Sequence, residues 1–148
     1  MDNFPLASLL ASDTAARLGI DNSPDPLSLQ HIEEVLKPNL EKLRALLGNH
    51  PVIVTSGYRS PALNAHIPGS SNTSAHTLGY AADVVIPGYG SPWHVCNRIA
   101  MLTEDELQWD QVIYEYGSWT HISFDPRGRR MLLTKFSGQP YREGLYQV

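Results

Sequence analysis

Cysteine is all but missing from this chain of 148 residues: Cys96 stands alone. No intrachain disulfide can form, which excludes the small secreted scaffolds that depend on such staples. Basic charge is also scarce, with 11 Lys and Arg against 15 Asp and Glu and a net charge of −4. That balance excludes the broad basic footprint of a nucleic-acid or anionic-membrane binder. No apolar run approaches the roughly 18 residues of a membrane span. Residues 1–10 carry no basic region ahead of an apolar stretch, so neither an anchor nor a signal peptide is expected, and synthesis is expected in the cytoplasm. The chain also lacks internal repeats, low-complexity tracts and the Gly-x-Ser-x-Gly elbow of a serine hydrolase.

What is present is the composition of an ordinary folded protein. Hydrophobic residues make up 42% and charged residues 18%, which sets aside disorder and coiled coil. The length suits a single domain over 1–148 with one core. Eleven Gly and eleven Pro predict many loops and argue against an all-helical bundle.

Helical spacing dominates residues 5–48. Leu6, Leu9 and Leu10 recur on one face, Ser12 or Asp13 can cap a turn over 14–18, and Gly19 stops it. After a loop at 21–26, Leu29, Ile32, Val35, Leu36, Leu40, Leu43 and Leu47 line one side of a longer helix. Ser28 is its expected N-cap and Gly48 lies past its end. Pro38 is expected to kink or split it. Beyond Pro51 the period changes: Val52-Ile53-Val54-Thr55 suits a short buried strand. A long polar segment follows at 57–82, and loops of that length tend to be functional or disordered. Asp83 opens a second apolar run, Val84-Val85-Ile86. Ser91-Pro92 starts a helix whose buried stripe is Val95, Ile99 and Leu102, and Cys96 sits on its apolar side as a core residue. Residues 112–116 and 119–124 form a hairpin across Gly117-Ser118, and 131–136 a further strand. The order predicts an α+β fold, a small, mainly antiparallel sheet with flanking helices.

Three side chains of metal-ligand type fall on these strands or their entrances: His76, Asp83 and, thirty-eight residues later, His121. Two imidazoles and a carboxylate suit zinc, and three protein ligands with an open fourth position point to chemistry before scaffolding. Spacing alone carries little, because six His in 148 residues make some His and Asp pair seven apart expected by chance. The surrounding residues add more. Ser-x-His-x-x-Gly-x-Ala-x-Asp stands at 74, 76, 79, 81 and 83, between Ser56-Gly57-Tyr58-Arg59-Ser60 and Trp119-Thr120-His121-Ile122-Ser123.

This pattern, spanning residues 52–124, resembles the zinc D-Ala-D-Ala carboxypeptidases and L-alanyl-D-glutamate endopeptidases that cut bacterial peptidoglycan peptides. The hedgehog signalling domain shares their fold. The resemblance implies one Zn²⁺ held by His76, Asp83 and His121, with Arg59 holding a substrate carboxylate or the developing oxyanion. It implies Glu115 as the general base. A forked, permanently charged Arg suits a carboxylate or an oxyanion. The role of Glu115 is subject to a geometric condition. A hairpin with a two- or four-residue loop sets residue 114 opposite 121 and turns Glu115 away from the metal, so the role requires a bulge or an odd-length turn near Gly117.

Tyr58, Tyr80, Tyr89, Trp93 and Trp119 are candidates to line a peptide groove, with core packing an equal account of Trp119. Tyr58, Ser74 and Arg59 are the expected substrate-binding residues, although Ser74 also suits local backbone hydrogen bonds. His31, His50, His66 and His94 match no ligand position and are expected to be structural or solvated. Asn72-Thr73-Ser74 is sequon-like without a secretory context. The expected activity is hydrolysis of an amide in a peptidoglycan stem peptide, as carboxypeptidase or endolysin-type endopeptidase. The alternative is a zinc-stabilised binding module of the same fold without turnover. A metal-free binding domain is the third reading. A phage or prophage lysis enzyme, a cytoplasmic protein and a virion-associated protein all fit the missing signal peptide, and oligomeric state is not legible.

Overall fold

A computed structural model of the chain describes residues 2–68 and 74–147; the Asn72-Thr73 part of the sequon-like run lies outside them. The chain opens with two short helices, α1 (Leu6–Leu10) and α2 (Asp13–Leu18). Ser12 caps α2 by accepting the Ala15 amide, and Gly19 closes it at φ 66°. A long helical rod follows, built from α3 (Pro26–His31), a π-helical stretch Ile32–Leu36 and α4 (Lys37–Leu46). Its N-cap is Asp25, not Ser28. The Asp25 carboxylate accepts the Ser28 amide and Pro26 takes the first helical position, where a missing N–H costs nothing. Pro38 does not split the rod. The turn ahead of it widens, so that the Lys37 amide reaches back to the Ile32 carbonyl, and the Asn39 side chain donates to the Val35 carbonyl at 2.9 Å. A π-turn absorbs the hydrogen bond that proline cannot make.

Among the described residues, six strands form one sheet in the order β1-β2-β4-β3-β5-β6. They are β1 (Ile53–Ser56), β2 (Ala81–Val85), β3 (Gln111–Glu115), β4 (Trp119–Ser123), β5 (Met131–Lys135) and β6 (Arg142–Glu143). Four of the five pairings are antiparallel; β3 and β5 run parallel. The α+β class with a mainly antiparallel sheet is therefore as expected. β1 departs from expectation. It is the sheet's edge and Ile53 is 50% exposed, because its pairing with Val85 turns it to the face that bears Asp83 while Val52 and Val54 turn to the core. Between the strands lie α5 (Pro61–Asn64), a 3₁₀ turn at Ala75–Leu78 and α6 (Pro92–Ala100), the last capped by Ser91 as the Ser-Pro pair predicts.

Alternation along the strands sorts the two faces. Ala82, Val84, Val112, Tyr114 and Ile122 join Leu36, Leu40, Leu43, Val95, Cys96 and Ile99 in the buried apolar core. Truncating one such leucine to alanine costs about 2–5 kcal/mol. The intervening residues Asp83, His121, Ile113 and Glu115 point to the opposite face. Among the described residues, no helix is long and apolar enough to cross a membrane.

Candidate metal centre

The opposite face owes its polar centre to register. Asp83 pairs with His121, and His121 with Ile113, so β2 and β4 present one carboxylate and one imidazole side by side. His76 arrives from the 3₁₀ turn, whose first amides are capped by Ser74: its side chain accepts from the His76 amide at 3.3 Å. The loop after β1 holds the His76 ring. Gly57 gives its carbonyl to His76 Nδ1 at 2.7 Å, and Arg59 donates its amide to the His76 carbonyl at 3.1 Å. Gly57 itself cannot be larger, since a Cβ there would lie 2.3 Å from the Leu9 carbonyl oxygen. Helix α1 thus braces the loop that orients His76.

His76, Asp83 and His121 are 2%, 3% and 6% exposed. Nε2 of His76 lies 3.1 Å from Asp83 Oδ1, Nδ1 of His121 lies 3.0 Å from the same oxygen, and the two nitrogens are 3.2 Å apart. A carbonyl oxygen only accepts, so His76 carries its proton on Nδ1 and turns the Nε2 lone pair inward. Three electron-rich atoms on a triangle of 3.0–3.2 Å are what a divalent cation resolves. Ligands about 2.0–2.1 Å from a tetrahedral zinc stand about 3.3–3.4 Å from one another. The donor set therefore fits one metal ion, with the Gly57 carbonyl fixing the ring behind the ligand atom. Burial by itself would push the Asp83 carboxyl up. The two imidazoles set against it, His76 and His121, outweigh burial and hold that carboxyl well below the usual range.

Glu115 meets its geometric condition. The β3–β4 loop is residues 116–118, three in number, so Glu115 pairs with Trp119 and Ile113 with His121. Tyr116 and Gly117 take positive φ, 57° and 65°, which lets so short a loop close. Glu115 then shares the metal face, with Oε1 3.8 Å from His121 Nδ1. Burial is the main force on its carboxyl. Together with the nearby Asp83 charge it outweighs His121 and Arg59 and raises the pKa, which makes Glu115 a better proton acceptor than an ordinary glutamate.

Arg59 lies against Asp83: Nη2 is 3.4 Å from Oδ2, while Nε and Nη1 face Ser56 Oγ at 3.3 Å and Asn64 Oδ1 at 3.5 Å. Ser56 ends β1 within the Ser56–Ser60 segment that the sequence already marked, whereas Asn64 closes α5 outside any motif. Tyr58 is 2% exposed and packs in the core, so its ring offers a substrate almost no surface. Tyr80 stacks on His31 at 4.1 Å and Trp93 meets Tyr114 edge-on at 5.5 Å, whereas Trp119 leans on Tyr116 at 5.3 Å beside Glu115. His31, His66 and His94 find partners in Leu78, Ala62 and Ser91, and none joins the trio.

A sheet bearing a buried His-Asp-His triangle, with a proton-avid carboxylate and a guanidinium beside it, is the equipment of a metal-dependent hydrolase. The family model described as Peptidase M15 matches residues 2–123, and the chain belongs to that family, the M15 D-Ala-D-Ala carboxypeptidase family of metallopeptidases. Membership implies a peptide substrate. No curated protein matches the chain.

Proposed function

We propose that this chain is a single-domain, zinc-dependent peptidase that hydrolyses an amide bond in peptidoglycan stem peptides. The observation that carries the reading is the convergence of His76, Asp83 and His121 with Glu115 on the same sheet face. When bound, zinc would supply a Lewis acid that polarises the scissile carbonyl and acidifies water. The side chains divide the remaining work. Glu115 Oε1 accepts a proton from the attacking water and returns it to the leaving amine nitrogen as the carbon–nitrogen bond breaks. Arg59, held by Ser56, Asn64 and Asp83, turns positive charge toward the substrate carboxylate or the oxyanion that forms at the carbonyl. Ser74 caps the turn that presents His76, and in this reading its hydroxyl meets the peptide from that side.

The Glu115 geometry favours turnover over a zinc-stabilised binding module, because a binding module has no need of a half-buried base aimed at the ligand set. The bond cut is D-Ala-D-Ala at the stem terminus or L-Ala-D-Glu within it, the second matching an endolysin encoded by a phage or prophage and released at lysis. Mass spectrometry of peptidoglycan fragments after incubation with zinc-loaded protein tests both. New fragments ending at either bond support the peptidase. Intact stem peptides with zinc bound at full occupancy would return the protein to the binding-module reading.

A further inference from the structure

The row of side chains that carries Glu115 extends past β5. Glu115 pairs with Trp119 on one side and with Lys135 on the other. The β5–β6 pairing Thr134↔Arg142, continued by one residue, sets Tyr141 opposite Lys135. Opposed residues of a sheet share a face, so Trp119, Glu115, Lys135 and Tyr141 line the side that bears Asp83 and His121. The Lys135 ammonium lies 5.4 Å from the centre of the Tyr141 ring and donates to the Gln139 carbonyl in the turn between the strands. Glu115 thus lies between Trp119 and Tyr116 on one side and Lys135, then Tyr141, on the other.

The second side is pinned. Thr134 Oγ1 donates to the Gly144 carbonyl at 2.8 Å and accepts the Tyr146 amide at 3.1 Å, and the Gly144 amide donates to the Leu132 carbonyl at 2.7 Å. Tyr141 is nevertheless 51% exposed, a large ring with half its surface uncovered at the far end of the row that carries Glu115. Its hydroxyl feels the charges along that row. Burial comes first, then the Glu115 charge, with smaller effects from Tyr116 and Asp83 and an opposing one from Arg59; the net effect raises the phenol's pKa. It therefore stays a protonated donor at neutral pH. The family match ends at residue 123, so this side lies outside the part of the chain that the family model describes.

We propose that Tyr141 forms one wall of the groove in which the peptide lies, a specificity-determining residue contributed by the C-terminal β5–β6 hairpin. The inference rests on the peptidase reading. A rigid tyrosine supplies apolar contact area to an extended peptide with small side chains at low conformational cost. It acts on binding more than on the chemical step, and the test separates the two. Zinc-loaded full-length protein, Tyr141→Ala and Tyr141→Phe are compared on a synthetic stem pentapeptide that contains both an L-Ala-D-Glu and a D-Ala-D-Ala bond. Tyr141→Ala is expected to raise KM about tenfold with kcat within about twofold and an unchanged melting temperature, and Tyr141→Phe to restore KM to within about twofold of wild type. Wild-type cleavage with an unaltered KM in Tyr141→Ala overturns the wall and leaves the peptidase standing. A lowered kcat and melting temperature at constant KM makes Tyr141 a structural residue and also overturns it. Wild-type protein that neither binds the pentapeptide by calorimetry nor cleaves it overturns the peptidase reading and the groove with it.

Discussion

Asp83 and Asp110 are equally deep, 3% and 1% exposed, yet they are held in opposite ways. Asp110 receives a fork: Arg129 Nε and its amide reach Oδ1 at 2.9 Å each, and Nη2 reaches Oδ2 at 2.8 Å. Every one of those donors has its proton fixed in direction, so the carboxylate is satisfied and has nothing left to bind. Asp83 instead meets two imidazole nitrogens at 3.0 and 3.1 Å and a guanidinium at 3.4 Å, contacts that are longer and include an inward lone pair. Depth of burial does not distinguish a lock from a ligand; the identity of the neighbouring atoms does. Asp110 fastens the start of β5 alongside β3, since its own carbonyl also accepts the Met131 amide at 2.8 Å.

Exchanging the two roles gives the largest expected effect. Asp83→Ala should bring peptidase activity to background while the fold persists, whereas Asp110→Ala should leave the turnover of the folded fraction unchanged; steady-state assays normalised to folded protein decide it. Next comes Glu115→Ala, which removes the proton acceptor without touching the triangle. Activity should fall about 10²- to 10⁴-fold with zinc content unaltered, and activity within a few-fold of wild type would strike Glu115 from the mechanism.

A smaller effect reads the lock directly. Asp110→Ala leaves Arg129 without its partner, and because Arg129 is 37% exposed the loss should be about 1–3 kcal/mol, below that of a fully buried pair, measured by urea unfolding. The smallest effect is the pH dependence of that lock. Burial opposes the Asp110 charge, and the hydrogen bonds and charge of Arg129 outweigh it, so the folded carboxyl titrates below its unfolded value. Its contribution is therefore complete above about pH 4 and disappears as pH falls through the depressed folded value. Unfolding curves collected from pH 6 down to 2 should show wild type losing stability in that window more steeply than Asp110→Asn. Parallel curves would contradict the assignment.

How much of this was legible in the sequence varies by residue. His76, Asp83 and His121 could be grouped because a strand-borne motif and a Trp-x-His segment read as one pattern, and the sheet brings them together. The parity of the β3–β4 loop decides which face Glu115 takes, and sequence could state the condition without resolving it, because Gly117 permits loops of either parity. β1 reads the same whether it is an edge or a centre strand, since a four-residue β-branched run reports propensity and not neighbours. Asp25 outcompeted Ser28 as a cap because the following Pro26 pre-sets the first helical turn. The parallel placement of β5 depends on Asp110 and Arg129, nineteen residues apart, and Tyr141 on a hairpin register beyond any motif. Contacts of that kind have no local signature.

The most direct measurement is the zinc content of the purified, zinc-loaded and dialysed protein, by elemental analysis, set beside that of His121→Ala. One zinc ion per wild-type chain and none in the variant is the outcome expected of a site built from residues 76, 83 and 121. Zinc retained at full stoichiometry in His121→Ala, or a folded wild-type chain that takes up no zinc, would contradict it.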